Sequence, residues 1–171
     1  MIKRLAILVM LSSLTACGFK PLYATRDTQG VVHSDYAAVA IEPLEGRIGH
    51  SLYSNLTEIM HPRGRQQNAQ YRLIVSLKER KEGLAIAEDE TFSRFSFYIT
   101  ARYRLETIKG ELIDHGESRS IAAYNVVDSP FATRMGEVDA RDRATQELAQ
   151  DIALKLAVYF DRTRRQGAAT P

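Results

Sequence analysis

Between Arg94 and Leu105 the chain alternates without a break. Phe95, Phe97, Ile99, Ala101, Tyr103 and Leu105 take one set of positions; Arg94, Ser96, Tyr98, Thr100, Arg102 and Arg104 take the other. A period of two is the repeat of a β-strand, whose successive side chains point to opposite faces of a sheet. This stretch is therefore a strand with one buried and one wet face, and its sheet needs a covering layer on the apolar side. Tyr71, Leu73, Val75 and Leu77 alternate in the same way with Arg72, Ile74, Ser76 and Lys78. The charged residues 78–83 read as a turn region between these two strands, continuing to Glu88-Asp89-Glu90.

The rest of the chain supplies the missing layer. Residues 37–44 (AAVAIEPL) form a short strand with Val39 and Ile41 on one face, stopped by Pro43. Ile48, Leu52, Leu56 and Ile59 or Met60 then recur every three or four residues, which predicts a helix over 49–60, ended by His61-Pro62-Arg63-Gly64. Lys109-Gly110-Glu111 is a hairpin turn into a fourth strand region, 112–127, interrupted near Gly116. Beyond Ser129-Pro130 a long helix is expected over 133–160, with Val138, Arg141, Thr145, Leu148, Ile152, Leu156 and Tyr159 along one side. Each helix has one apolar stripe, so both pack on the sheet. The fold class that follows is α+β: a two-layer sandwich in β-α-β-β-β-α order, a mixed four-stranded sheet with two helices on one face.

The N-terminal segment carries a different message. Lys3 and Arg4 precede ten apolar or small residues, Leu5 to Leu14, and then Thr15-Ala16-Cys17. Ten residues are about half of the roughly 20 that a membrane-spanning helix needs, so the stretch reads as a removable export signal. Cys17 is the only cysteine; it has no intramolecular disulfide partner and is too little for a cysteine metal site. Its place after Leu14-Thr15-Ala16 suits a lipid attachment point, and two or three acyl chains would anchor it stably. The expected organisation is a signal over 1–16, a lipidated tether over 17–36, one domain over 37–165 and a polar, disordered tail over 166–171.

Charge narrows the function. The chain has 23 basic and 21 acidic residues. Removing 1–16 takes away Lys3 and Arg4 and leaves a balanced mature chain, which argues against a nucleic-acid-binding protein. Histidines 33, 50, 61 and 115 show no ligand spacing, Glu88-Asp89-Glu90 lacks the pattern of a calcium loop, and no phosphate cradle is present. Neither a metal nor a cofactor is expected. Gly49-His50-Ser51 matches only half of a nucleophile elbow, with Tyr53 where the second glycine belongs, so Ser51 reads as a helix-start residue. Nothing in the sequence argues for an enzyme. The informative constellation is Arg94, Arg102 and Arg104 on one strand face, with Tyr98 among them and Arg72 and Lys78 on a neighbouring strand. Guanidiniums on a wet sheet face suit phosphate or carboxylate, unless they serve cross-strand pairs with Glu79, Glu106 or Glu117.

Three features resemble one known family: Cys17-Gly18-Phe19-Lys20-Pro21-Leu22-Tyr23, the element order, and the Ala-rich final helix running from Asp139-Ala140-Arg141-Asp142-Arg143-Ala144 to Tyr159-Phe160. The chain looks like the lipopolysaccharide-assembly lipoproteins of the LptE family, in their alphaproteobacterial form. The resemblance implies a palmitate-bearing outer-membrane lipoprotein facing the periplasm. It implies a heterodimer with an LptD-like β-barrel, in which the lipoprotein plugs the lumen, assists barrel assembly and contacts lipopolysaccharide. Gly18 after the cysteine fits outer-membrane sorting, and the resemblance places Arg94 and Arg134 in regions implicated in lipopolysaccharide contact. Two other readings stay open: an auxiliary subunit of a different envelope lipid exporter, and a lipid-anchored hydrolase using Ser51.

Overall fold

A computed structural model describes residues 35–62, 64, 68–86 and 92–168. Cys17, the expected export signal, the acidic triplet 88–90 and the last three residues lie outside these. The elements are β1 (Val39–Ile41), α1 (Gly46–Met60), β2 (Tyr71–Ile86), β3 (Phe92–Thr107), β4 (Leu112–Asn125) and α2 (Pro130–Ala168). The strands lie in sequence order β1-β2-β3-β4; β1 pairs parallel to β2, and the other neighbours are antiparallel. This is the mixed four-stranded α+β arrangement that the two periodicities predict.

Strand β3 sets the two faces. Phe97, Ile99, Ala101, Tyr103 and Leu105 are buried, while Arg94, Arg102 and Arg104 are exposed. Leu73 and Val39 continue the buried side across β2 and β1. Over it lie Leu52, Leu56 and Met60 from α1 and a longer stripe from α2, including Leu148, Ile152, Leu156 and Phe160. Between the bulky residues of α2, Ala140, Ala144, Ala149, Ala153 and Ala157 are buried and let the backbone come close to its neighbours. Fully burying each large side chain contributes about 1.5–3 kcal/mol.

Several boundaries move, each for a physical reason. Residues 78–83 are not a turn: they belong to β2, which runs on to Ile86. The charges that made this stretch look like a loop are accommodated in the sheet. Glu79 pairs with Arg141 of α2 at 3.0 Å, so it lies on the helix-covered side. Lys81 Nζ lies 4.5 Å from the Phe95 ring centroid and 5.2 Å from that of Tyr124. Strand β4 is continuous through Gly116, which is there because the Tyr103 ring crosses it; a Cβ would stand 2.6 Å from Tyr103 Oη. The β3–β4 turn falls where expected, with Gly110 at φ +89°. Helix α2 extends past Phe160 to Ala168. Upstream of β1, Tyr36 is buried and donates to the Ala153 carbonyl at 2.6 Å.

Ser51 is not a helix-start residue. It sits inside α1, and its hydroxyl hydrogen-bonds Thr145 Oγ1 of α2 at 2.9 Å. Asn55 also donates to that oxygen, at 3.3 Å. The three residues form a polar contact at the interface between the helices.

Candidate functional site

Among the described residues, helices cover one side of the sheet and leave the other bare. The antiparallel registers determine what stands there. Ser76 lies opposite Arg102, which faces Glu117; Lys78 lies opposite Thr100, which faces Arg119; Arg80 lies opposite Tyr98, which faces Ile121. A shallow concavity of about 610 Å³ runs over these three rows. A second, also about 610 Å³, adjoins it toward the β3–β4 turn, lined by Ile74, Arg104, Leu112 and His115 among others.

The electrostatics of this face depend on how its carboxylates are shared. Glu117 accepts from Arg102 Nε at 2.8 Å and from Arg119 Nε at 2.6 Å. Those two hydrogen bonds hold its carboxyl below the usual carboxylate range. Glu106 serves Arg72 at 3.2 Å and Arg104 at 3.5 Å, and Arg72 also reaches Glu42 at 3.3 Å. Arg80 pairs with Glu82 and lays its guanidinium 4.7 Å above the Tyr98 ring. Among the described residues, Lys78 and Arg94 have no carboxylate partner. A carboxylate divided between two guanidiniums leaves the cluster cationic, and Arg102 and Arg119 keep 75% and 76% of their side-chain surface in solvent. Planar, charged and accessible donors of this kind bind phosphate or carboxylate groups bidentately.

The arginines singled out in the sequence do not form a single site. Arg102 and Arg104 are neighbours on the bare face. Arg94 shares that face but stands eight residues earlier on β3, about 26 Å away at the rise of a strand. It pairs in register with Asn125, at the end of the sheet where the chain leaves for α2. Arg134 projects from the exposed first turns of α2, among Val126, Val127, Phe131 and Met135, which are all exposed apolar residues; Phe131 is 74% exposed. The expected pairings with Glu106 and Glu117 are present, but Glu79 lies on the opposite face with Arg141. Sequence reading missed Arg80 and Arg119. Arg119 was hidden by reading β4 as broken at Gly116, because an unbroken alternation from His115 to Ile121 places it beside Arg102.

The covered side contains a separate polar seam. Lys155 of α2 donates to the Glu117 carbonyl at 2.7 Å, to Ser118 Oγ at 3.0 Å and to Asp151 at 2.6 Å. Ser120 donates to Glu147 at 2.6 Å. Burial and the nearby Asp114 carboxylate push the Tyr103 phenol up to about 12. Among the described residues there is no cluster of His, Cys, Asp and Glu able to hold a metal ion, and no helix long and apolar enough to cross a membrane.

Fold and face together define a class: a two-layer α+β domain that buries one side of its sheet under helices and leaves a cluster of cationic side chains exposed on the other. The sequence matches the LptE family, described as lipopolysaccharide-assembly, over residues 36–156. The fold is similar to a lipoprotein of Caulobacter crescentus CB15, at 24% identity and a TM-score of 0.63, covering 77% of this chain and 96% of that one. It is also similar to a minor lipoprotein of Acinetobacter baumannii (17%, TM-score 0.59, 72% and 92%) and to lipoprotein B of Nitrosomonas europaea (14%, TM-score 0.58, 72% and 83%). At these identities the likenesses establish a shared fold. No curated protein matches the chain. The chain belongs to the LptE family of lipopolysaccharide-assembly lipoproteins.

Proposed function

We propose that this protein is the lipid-anchored partner of an LptD-like outer-membrane β-barrel, plugging the barrel, helping it assemble and contacting lipopolysaccharide on its way to the outer leaflet. Residues 1–16 are removed on export, and Cys17 carries the acyl chains that hold the domain on the periplasmic side of the outer membrane. The role is that of a transport component and not a catalyst. Ser51 fits that role, since its hydroxyl is engaged with Thr145.

The observation that carries the reading is the cationic bare face. Lipid A is anionic, and clusters that share one carboxylate between two guanidiniums retain charge for its phosphates. Arg94, Arg102 and Arg104 act from β3 and Arg134 from α2. A lipid anchor adds to this by confining the domain near its barrel at high effective concentration.

Two experiments test the proposal. Purification of the lipoprotein from solubilised outer membranes should bring down a very large β-barrel protein in a one-to-one complex. Recovery of a different exporter's subunits would move the assignment to an auxiliary subunit of that system. Replacing Arg94, Arg102 and Arg104 together by Ser should weaken lipopolysaccharide binding in a domain that still unfolds cooperatively; unchanged binding would remove the face from the mechanism.

A further inference from the structure

The two edges of the sheet are treated differently. An edge strand exposes a row of N–H and C=O groups and invites another strand to pair, so folded proteins usually guard it. On β4 the guard is α2: Lys155 caps the outward carbonyl of Glu117 at 2.7 Å, and Arg143 reaches that of Ala123 at 3.5 Å. On the other side β1 covers very little. Tyr71 N–H donates to the Ala38 carbonyl, and the Leu73 carbonyl accepts from Glu42 N–H. β1 ends at Ile41, and the chain enters α1 at Gly46. Odd-numbered residues of β2 face this edge and even-numbered ones bond to β3, so the backbone groups of Val75, Leu77, Glu79 and Lys81 point outward. Among the described residues nothing pairs with them.

Beside this open edge, on the helix-covered side, is a recess of about 400 Å³. It lies between the first turn of α1 (Gly46, Ile48, Gly49) and Leu77, Ile99 and Arg141. Of the charged residues that line it, Glu79 and Arg141 pair with each other, while Glu45 and Arg47 are exposed. A strand added to β2 would send alternate side chains to opposite faces, one set toward the recess and the other beside Lys78 and Arg80.

We infer that the free edge of β2 from Val75 to Lys81 accepts an extended segment of a partner protein, in which an apolar residue for the recess alternates with acidic residues beside Lys78 and Arg80. Main-chain hydrogen bonds supply the affinity, and the recess and cations supply the selectivity. A second copy of this chain suits the edge poorly. Antiparallel pairing about Glu79, the middle of the open stretch, would set Lys78 against Arg80, like charge against like. The inference stands whichever protein supplies the segment.

The test uses the full-length lipoprotein in detergent and a capped nine-residue peptide alternating Val and Glu, with a Val/Lys peptide as control. Amide hydrogen exchange is followed residue by residue. The Val/Glu peptide should slow exchange at Val75, Leu77, Glu79 and Lys81 by about tenfold or more, and the Val/Lys peptide should not. Glu79→Pro removes one outward N–H without touching the bonds to β3, and should abolish the protection. Lys78→Glu, on the solvent face, should reverse the preference between the peptides; it decides the matter if the proline variant does not fold. Protection by neither peptide, protection appearing along β4 instead, or protection that grows with protein concentration alone would each overturn the inference.

Discussion

The Tyr103 ring occupies the space that a side chain on Gly116 would need: a Cβ there would stand 2.6 Å from Oη, 2.7 Å from Cζ and 2.8 Å from Cε1. The two residues are register partners on β3 and β4, so the glycine is what lets an aromatic ring lie across an otherwise regular ladder. Gly116→Ala should therefore destabilise the domain by about 1–3 kcal/mol, the usual cost of overpacking. In a Tyr103→Ala background the same substitution should cost much less. Urea unfolding of the four proteins of this double-mutant cycle measures the coupling.

The same tyrosine makes stability fall at alkaline pH. Its phenol stays protonated in the folded state up to about 12, whereas in the unfolded chain it ionises near the ordinary value of 10.0. Between those values the unfolded state binds fewer protons, so stability drops as pH rises. Tyr103→Phe should remove about 1–2 kcal/mol of that loss. Unfolding free energies at pH 9 and pH 11.5 give the slopes to compare; parallel slopes would refute the assignment.

Glu117 is predicted to restrain the bare face. Glu117→Gln frees Arg102 and Arg119 from their shared carboxylate and should raise affinity for lipopolysaccharide by about threefold or more at low salt, with the gain shrinking as salt rises. Binding isotherms at two ionic strengths check both parts.

The Lys155 seam should show the opposite pH dependence from Tyr103. Partial burial pushes the Asp151 carboxyl up, but the hydrogen bonds with Lys155 and Ser118 and the Lys155 charge together outweigh it and hold the group below its ordinary value. A depressed carboxylate contributes stability above the ordinary carboxylate range, and the contribution is lost as pH falls through the folded-state value. Lys155→Met should cost about 1 kcal/mol at neutral pH, since the pair is partly solvated. The difference from the parent protein should shrink in acid, to the part carried by the Glu117 carbonyl and Ser118 bonds. The variant should also self-associate more readily, because the Glu117 carbonyl on the β4 edge loses its cap.

Ser51→Ala should lose about 1 kcal/mol of stability, the net contribution of one part-buried hydrogen bond, and retain lipopolysaccharide binding in full. Thr145→Val should cost more, about 2 kcal/mol, because it strands both Ser51 and Asn55. Chemical denaturation measures both.

Much of this architecture was legible in the sequence because burial leaves a period. The alternation through β3 and the first half of β2 separated the covered from the bare face residue by residue, and the three-and-four spacing in α1 marked Leu52 and Leu56. What stayed hidden has a common cause, in that the partner comes from a distant part of the chain. Residues 78–83 look like a solvated turn until Arg141, more than sixty positions away, answers Glu79 and the β3 and β4 aromatics lie under Lys81. Gly116 looks like a break until the ring of Tyr103 is placed over it. Ser51 looks like a capping residue until Thr145 arrives from the other helix. The candidate site was half visible: Arg102 and Arg104 share a face by periodicity alone, but the sharing of Glu117 with Arg119 requires the β3–β4 register.

Among the described residues helices cover one side of the sheet and none covers the other, and this separates two kinds of selection on the sequence. Substitutions on the covered side are judged by whether the chain folds; those at Lys78, Arg80, Arg102 or Arg119 touch no packed core and are judged by what the surface recognises. A protein arranged in this way can be retuned toward a different anionic ligand, one charge at a time, while its folding free energy stays almost unchanged.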